Sequence, residues 1–221
     1  MLLKIHPENP GERHLKIITD CLHDGGVIIY PTDTLYGLGA DATNEASVAA
    51  VRAIKGSADE KAFLCMVSDI DTAGEFVQCK SDLQDEQARA LSAAFLPGPL
   101  SIILNMCGDA LAPSVAPRRT NIGIRMPDHP FCISLANALG KPITSTSANI
   151  TGTTPGKTFE EVLANLSEHH DRIALAIDAG PVTNSTPSTV VDLSGDMPTI
   201  IREGAIPAVD ILRKMDVRTQ Q

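Results

Sequence analysis

The sequence predicts a single α/β domain: a twisted, mixed β-sheet with helices packed on it. Three observations predict this fold. Nine short apolar runs have the length of strands, and helical patterns lie between several of them. The last two runs follow each other closely, which predicts a mixed rather than a purely parallel sheet. The chain of 221 residues, 43% of them hydrophobic, is long enough for one large core, so we expect one domain over residues 1–221.

The strands are predicted, in chain order, at residues 2–5, 27–31, 63–67, 100–106, 121–126, 142–146, 173–178, 188–193 and 198–203. A first helix places Leu22 on its apolar face and ends at Gly25. Asn44 is predicted to cap a second helix, and Ser81 a third that runs to Phe95. Three further helices fit residues 129–139, 158–166 and 207–214.

The charge and the aromatic content limit the kind of partner that this chain can bind. A formal net charge of -9 argues against a nucleic-acid binder that uses its whole surface, because phosphate contacts need clustered Lys and Arg. With no Trp, two Tyr and five Phe, few aromatic rings are available for stacking on bases. A local basic pocket remains compatible with this composition.

The cellular location is predicted from the absence of transmembrane and signal-peptide patterns in the sequence. No run of 18 apolar residues occurs, and the first residues show no apolar core with a cleavage site. The five cysteines are odd in number and at least 14 residues apart, which fits neither a disulfide framework nor a zinc knuckle. We therefore expect a cytoplasmic protein with reduced thiols and no membrane partner.

The segment from Gly152 to Thr158 resembles a phosphate-binding P-loop but is one residue short. A P-loop needs four residues between its glycines so that successive backbone N–H groups surround the phosphates. Here three residues separate Gly152 from Gly156. We therefore predict an irregular loop that leads to a helix capped at Thr158.

Polar side chains cluster where predicted strands end, which is where α/β proteins place their ligand contacts. Ser147 and Asn149 follow one strand, and residues 30–44 form a polar, glycine-rich segment that we predict to be a loop. Arg125 and Arg202 also stand at strand ends. Cations beside hydroxyl-bearing loops, in a chain that is otherwise acidic, predict a pocket for an anion.

Five motifs in this order resemble the YrdC/YciO family, whose best-known members are threonylcarbamoyl-AMP synthases. They are VIIYPTDTLYGLGADA (27–42), LPGPLSIIL (96–104), IGIRMPDHP (122–130), ITSTSANITGTTP (143–155) and STVVDLSGDMPTIIREGAI (188–206). The resemblance covers about residues 5–206. It implies a YrdC-like fold with a concave, positively charged cavity, regarded in the family as a site for nucleotide and double-stranded RNA.

The resemblance implies the following reaction. L-Threonine and bicarbonate give a carbamate, which attacks the α-phosphorus of ATP, and pyrophosphate leaves. The product, threonylcarbamoyl adenylate, is passed to a separate transferase that modifies certain transfer RNAs. This chemistry needs positioning and phosphate-charge stabilisation rather than a covalent nucleophile. Mg²⁺ is expected to arrive with ATP, with no metal site on the protein itself.

The residue roles implied by the resemblance form two groups. The catalytic and nucleotide-binding residues are Lys55, which would hold phosphate oxygens, with Ser147, Asn149 and Arg202, and Lys61 as a further candidate. The residues on the threonine side are Thr32, Thr34, Tyr36, Arg125 and Thr189. An arginine is a natural partner for the carboxylate of threonine.

One departure from the family pattern leaves a second hypothesis open. Synthases carry Lys-x-Arg-Pro, whereas this chain has Ser57 at the position of the Arg, with Lys61 as a candidate replacement. A hydroxyl cannot replace a planar guanidinium. Other segments are closest in character to the YciO branch. The alternative is therefore a YciO-type paralogue that binds nucleotide, double-stranded RNA or tRNA with little or no synthase activity, although Ser147 and Asn149 favour an enzyme.

Overall fold

The computed structural model describes residues 1–56, 61–118, 120–181 and 186–215. These residues form eleven strands and seven α-helices. The strands are β1 (Leu2–Lys4), β2 (Ile28–Tyr30), β3 (Gly37–Gly39), β4 (Leu64–Met66), β5 (Val77–Gln78), β6 (Leu100–Met106), β7 (Asn121–Arg125), β8 (Ile143–Ser147), β9 (Leu175–Asp178), β10 (Thr189–Asp192) and β11 (Thr199–Arg202). The helices are α1 (Glu12–His23), α2 (Glu45–Lys55), α3 (Ile70–Gly74), α4 (Asp82–Phe95), α5 (Pro130–Leu139), α6 (Phe159–Asn165) and α7 (Ala208–Met215).

The strands form a twisted, mixed sheet, as predicted. Their order is β1-β9-β2-β3-β8-β4-β7-β6-β10-β11, and β5 pairs with β6. The pairs β1–β9, β9–β2, β4–β7 and β6–β10 are parallel, and the other pairs are antiparallel. The last two strands, β10 and β11, form the antiparallel pair that their close spacing indicated.

The capping residues confirm three of the predicted helix starts. The side chain of Asn44 accepts a hydrogen bond from the amide of Ser47 at the start of α2, and Ser81 caps α4 in the same way. Thr158 forms a capping box with Glu161 at the start of α6, and the segment before it is an irregular loop, as predicted. Each cap satisfies a backbone N–H that the helix itself leaves without a partner.

The sequence prediction was wrong for part of the segment 30–44. The prediction was a loop, but Gly37–Gly39 form β3 between β2 and β8. The glycines are needed because the ring of Tyr30 lies across them: a Cβ on Gly39 would lie 2.7 Å from Tyr30 Cε1 and 2.7 Å from the carbonyl oxygen of Thr144. Here glycine marks a close approach within a sheet rather than a turn. The short elements α3 and β5 were not predicted.

Helices cover both faces of the sheet. Ile28 and Tyr30 of β2 point to one core, while Ile29 between them points to the other, as the strand period of two requires. The first core is completed by α1 and α5, through Ile18, Leu22, Phe131 and Leu135. The second is completed by α2, α4, α6 and α7, through Val51, Leu91, Val162 and Ile211. No helix in the described part of the chain is long and apolar enough to cross a membrane.

Candidate active site

A cavity of about 260 Å³ lies at the ends of strands in the middle of the sheet. The end of β7, the end of β8 and the end of β11 reach it, and the loop before β3 closes one side. Of the predicted site residues, five line this cavity: Thr34, Tyr36, Arg125, Ser147 and Arg202. The structure therefore brings together residues that are up to 168 positions apart, since they run from Thr34 to Arg202.

Arg125 is a buried cation, and not all of its N–H groups have a hydrogen-bond partner among the described residues. Its Nη2 donates a hydrogen bond of 2.8 Å to Oδ1 of Asp33, and the two side chains are only 10% and 9% exposed. The same Nη2 lies 3.5 Å from the hydroxyl of Thr34. Its Nε is buried and has no hydrogen-bond partner among the described residues. Arg125 also lines the cavity, so its guanidinium is the candidate partner of an anionic ligand there.

Arg202 supplies the second guanidinium of the cavity. Its Nε and Nη2 donate to the carbonyl oxygen of Ser188 at 3.1 and 2.7 Å, which fixes the planar group against the start of β10. Burial and the nearby charge of Arg125 lower the pKa of Arg202. Arg125 and Arg202 are the charged side chains among the described residues that line the cavity. They support the predicted positive charge of the cavity, which stays a prediction.

Two hydroxyls of β8 face the cavity from the same side of the strand. Ser145 and Ser147 are two residues apart, so the strand period points both in one direction. Tyr30 donates a hydrogen bond of 3.0 Å to the Ser145 hydroxyl from the same face of the sheet, and burial raises the pKa of the Tyr30 phenol. Ser145 and Ser188 were not among the predicted site residues. Period-two spacing from Ser147 was a signal that could have identified Ser145.

Lys55, at the end of α2, lies behind Ser147 and is not among the residues that line the cavity. Its Nζ donates to three oxygens: the carbonyls of Ser147 and Asn149, at 2.9 and 2.7 Å, and Asn149 Oδ1, at 3.1 Å. The residue is only 6% exposed, and burial lowers the pKa of Lys55 to about 8. Its predicted contact with phosphate stays a prediction.

Several predicted site residues have structural partners instead of a place on the cavity wall. The Thr32 hydroxyl donates to the carbonyl oxygen of Leu35 and organises the loop before β3. The Thr189 hydroxyl, fully buried, donates to the carbonyl oxygen of Ile206. Asn149 donates through Nδ2 to two carbonyls of its own loop, including that of Thr153.

Two further predictions concern groups at the margin of the cavity. Tyr36 lines it, but its hydroxyl donates to the carbonyl oxygen of Gly180 at 2.7 Å, and burial raises its pKa to about 12. The side chain of Lys61 is exposed, next to the lining residue Ala62. Ser57, where the family Arg is missing, lies outside the described residues.

The groups in the cavity are suited to holding an anion rather than to forming a covalent bond. No His, Cys, Asp or Glu lines it in the described part of the chain, so no general base stands beside the serine hydroxyls. Guanidinium and hydroxyl donors stabilise negative charge and orient reactants. The described residues contain no group of three or more His, Cys, Asp or Glu that could hold a metal ion.

The titration of Lys55 gives a testable dependence of stability on pH. The folded-state pKa is about 8, whereas the unfolded chain keeps a value of about 10.4. Unfolding therefore takes up a proton between these two pH values, and the free energy of unfolding rises with pH across this window. We expect Lys55→Met to remove this rise. Urea unfolding of both proteins at about pH 7 and about pH 9.5 measures it, and identical pH dependences would contradict the expectation.

The fold and the cavity define a class of α/β proteins in which a mixed sheet carries a cleft of hydroxyls and guanidiniums at its strand ends. Comparison with known proteins gives the family. The model of the Sua5/YciO/YrdC family, described as telomere recombination, matches residues 20–204. The chain belongs to this family.

Similar proteins carry two kinds of name. A threonylcarbamoyl-AMP synthase of Bacillus subtilis is 35% identical over 191 residues, which are 84% of this chain and 51% of that protein. An uncharacterised protein of Escherichia coli, YciO, is 30% identical over 203 residues, covering 90% of this chain and 93% of the other. The fold agrees with that of P. abyssi Sua5 in complex with L-threonine, with a TM-score of 0.88 at 24% identity.

The match to the longer relatives is partial. This chain spans about half, 51%, of the length of the B. subtilis synthase. The comparison with the P. abyssi structure includes 98% of this chain but only 61% of the P. abyssi chain. The family and the fold follow from these matches. Activity and substrates are argued from the site below.

Proposed function

We propose that this chain is an L-threonylcarbamoyladenylate synthase, a nucleotidyltransferase that uses L-threonine, bicarbonate and ATP. The observation that carries this proposal is the pair Arg125 and Arg202, which face one cavity together with serine hydroxyls and no nucleophile–base pair among the described lining residues. Such a site serves a reaction that consists of positioning small reactants and stabilising phosphate charge. The 35% identity to a synthase of B. subtilis supports the same activity.

The proposed reaction has two steps. The amine of threonine and bicarbonate form a carbamate with loss of water. A carbamate oxygen then forms a bond to the α-phosphorus of ATP while the bond to the leaving pyrophosphate breaks. Arg125, which lines the cavity, is the proposed contact of the threonine carboxylate. Arg202 and the hydroxyl of Ser147 are the proposed contacts on the nucleotide side.

The synthases of this family use ATP, and Mg²⁺ is proposed to arrive with it. The donors in the cavity are guanidiniums and hydroxyls, and the described lining residues include no carboxylate. Mg²⁺ prefers oxygen ligands and is commonly held by substrate phosphates with few protein groups. The donor set of this site therefore fits an ion that is held mainly by the nucleotide.

The product is proposed to pass to a separate transferase that modifies tRNA. The proposed location of the reaction is the cytoplasm, and the whole chain is proposed to act as one domain. Binding of double-stranded RNA or tRNA by the chain itself stays a prediction. The synthase is preferred to the RNA-binding alternative because two guanidiniums and serine hydroxyls face one cavity, and because the chain is 35% identical to a synthase of B. subtilis.

The proposal is tested by incubating the purified protein with ATP, Mg²⁺, L-threonine and bicarbonate. We expect release of pyrophosphate that needs both threonine and bicarbonate, and a threonylcarbamoyl adenylate detected by mass spectrometry. The Ser57→Arg variant, which restores the family residue, is assayed beside it and is expected to be at least as active. An Arg89→Met variant, which changes an exposed arginine on α4, is the matched control.

The outcomes separate the two hypotheses. Activity of the native protein shows that the family Arg is dispensable here. An inactive native protein with an active Ser57→Arg variant would assign the chain to a paralogue with another role. Absence of product from both proteins would contradict the proposed function.

A further inference from the structure

The amine of Lys55 has all its donors committed within the protein. An ammonium group carries three N–H donors. The three acceptors around Nζ are the carbonyl oxygen of Ser147 and two oxygens of Asn149, at distances between 2.7 and 3.1 Å. A direct contact with a phosphate would require at least one of these bonds to be given up.

These three bonds join the end of α2 to the turn after β8. Lys55 also accepts, through its backbone carbonyl, a hydrogen bond of 3.0 Å from the amide of Thr151. The turn is therefore held to the helix by the side chain and by the backbone of the same residue. Gly56 ends the helix in a left-handed conformation, with φ of 62°, and so fixes the place of its last turn.

The turn presents one hydroxyl to the cavity. Ser147 lines the cavity and donates its hydroxyl proton to Oδ1 of Asn149, the same oxygen that accepts from Lys55. A phosphate oxygen only accepts hydrogen bonds, so the hydroxyl has to turn this proton from Asn149 to the ligand when a nucleotide binds. The position of Asn149 decides where the Ser147 oxygen lies.

We propose that Lys55 is a positioning residue: it fixes the turn Ser147–Asn149 so that the Ser147 hydroxyl is held at the cavity, and it does not itself contact the substrate phosphates. This inference rests on the proposed synthase function, because it assigns a role within that site. It reassigns Lys55 from a ligand contact to a support behind the ligand contact. The charged ammonium is suited to this support because hydrogen bonds from a charged donor are stronger than neutral ones.

The first test uses the ligand-free protein and needs no turnover. The amide of Ala148 donates to the carbonyl oxygen of Tyr36 at 2.9 Å, so its hydrogen exchange reports separation of the turn from the segment just before β3. In the folded Lys55→Met variant we expect this exchange to accelerate by about tenfold or more, because bonds to a charged group are lost. Lys157→Met, an exposed lysine before α6, is the control and is expected to leave the exchange rate unchanged.

The second test uses activity at saturating substrate. We expect Lys55→Met to lower kcat by about 100-fold, since a small displacement of a positioning group has an effect of this size. Lys55→Arg should not restore kcat, because a planar guanidinium cannot place three N–H bonds from one nitrogen on these oxygens. For a direct phosphate contact, Arg would be a good replacement and kcat would be retained.

Each result supports or overturns the inference. Faster exchange at Ala148 together with a reduced kcat in both variants supports it. Unchanged exchange, or an Arg variant that keeps kcat, overturns it in favour of a direct contact. Faster exchange with an unchanged kcat would limit Lys55 to stability and also overturns it. If the native protein makes no adenylate, the proposed synthase function is contradicted independently of the role of Lys55. The hydrogen-exchange test still applies in that case, because unchanged exchange at Ala148 would show that Lys55 does not hold the turn in place.

Discussion

Replacing Arg125 with methionine is expected to lower kcat/KM for L-threonine by about 100-fold to 1000-fold, the loss that follows removal of one preorganised donor for a developing or bound anion. The reason is its position, because Arg125 is one of the two charged residues among the described residues that line the cavity. Pyrophosphate release at varied threonine concentration measures the effect.

This variant also removes the ion-pair partner of Asp33. A carboxylate that is 9% exposed would be left without its cation, so we expect the free energy of unfolding to fall by about 3–5 kcal/mol. The loss of activity must be separated from this loss of stability. In the double variant Asp33→Asn/Arg125→Met the unpaired charge is gone, so stability should largely return while activity should not.

Two results would contradict this account of Arg125. One is a double variant that recovers both stability and activity, which would make the arginine a structural residue only. The other is a single variant that keeps kcat/KM while it remains folded. Arg89→Met, which removes an exposed arginine that pairs with Asp85, serves as the control and should leave activity and stability unchanged.

Replacing Gly39 with alanine is expected to lower the stability of the fold strongly. A Cβ at this position would lie 2.7 Å from the carbonyl oxygen of Thr144, a backbone atom of β8 that cannot move without disturbing the sheet. Overpacking of this kind lowers the free energy of unfolding by about 3 kcal/mol. Urea unfolding measures the change through the midpoint and the slope.

The matched control is Gly74→Ala, at the end of α3. A Cβ there would meet no atom within 4 Å. The free energy of unfolding should stay the same or rise by up to about 1 kcal/mol, because alanine favours a helix over glycine. Equal losses in the two variants would contradict the assignment of the Gly39 effect to the contact with Thr144, because alanine restricts the unfolded chain and by itself should stabilise the protein.

Much of the fold was predictable because apolar periodicity and helix caps are local signals. The strand at 100–106 was predicted with the bounds that the structure shows, and the caps at Asn44 and Ser81 stand where the side-chain types indicated. The strand β3 was not predictable in this way. Its glycines are explained by the ring of Tyr30 on a neighbouring strand, which is a contact that no local pattern records.

The site was predictable in part. Strand ends drew attention to Arg125, Ser147 and Arg202, and the structure places all three at one cavity. Thr189 stands at a strand start and has a hydroxyl like the others, yet its proton goes to the carbonyl oxygen of Ile206. Residue type alone does not distinguish a hydroxyl that faces a ligand from one that ties two backbone segments together. That distinction depends on packing between distant parts of the chain.

The contact between Tyr30 and the glycines of β3 has a consequence for how this sequence can evolve. A larger residue at position 37 needs a smaller one at position 30, but the Tyr30 phenol also donates to Ser145 at the cavity. A substitution that relieved the crowding would therefore release a serine of the candidate site. Changes at positions 30 and 37 can be tolerated only in combination, so genetic drift through single steps should be slow at this part of the sheet.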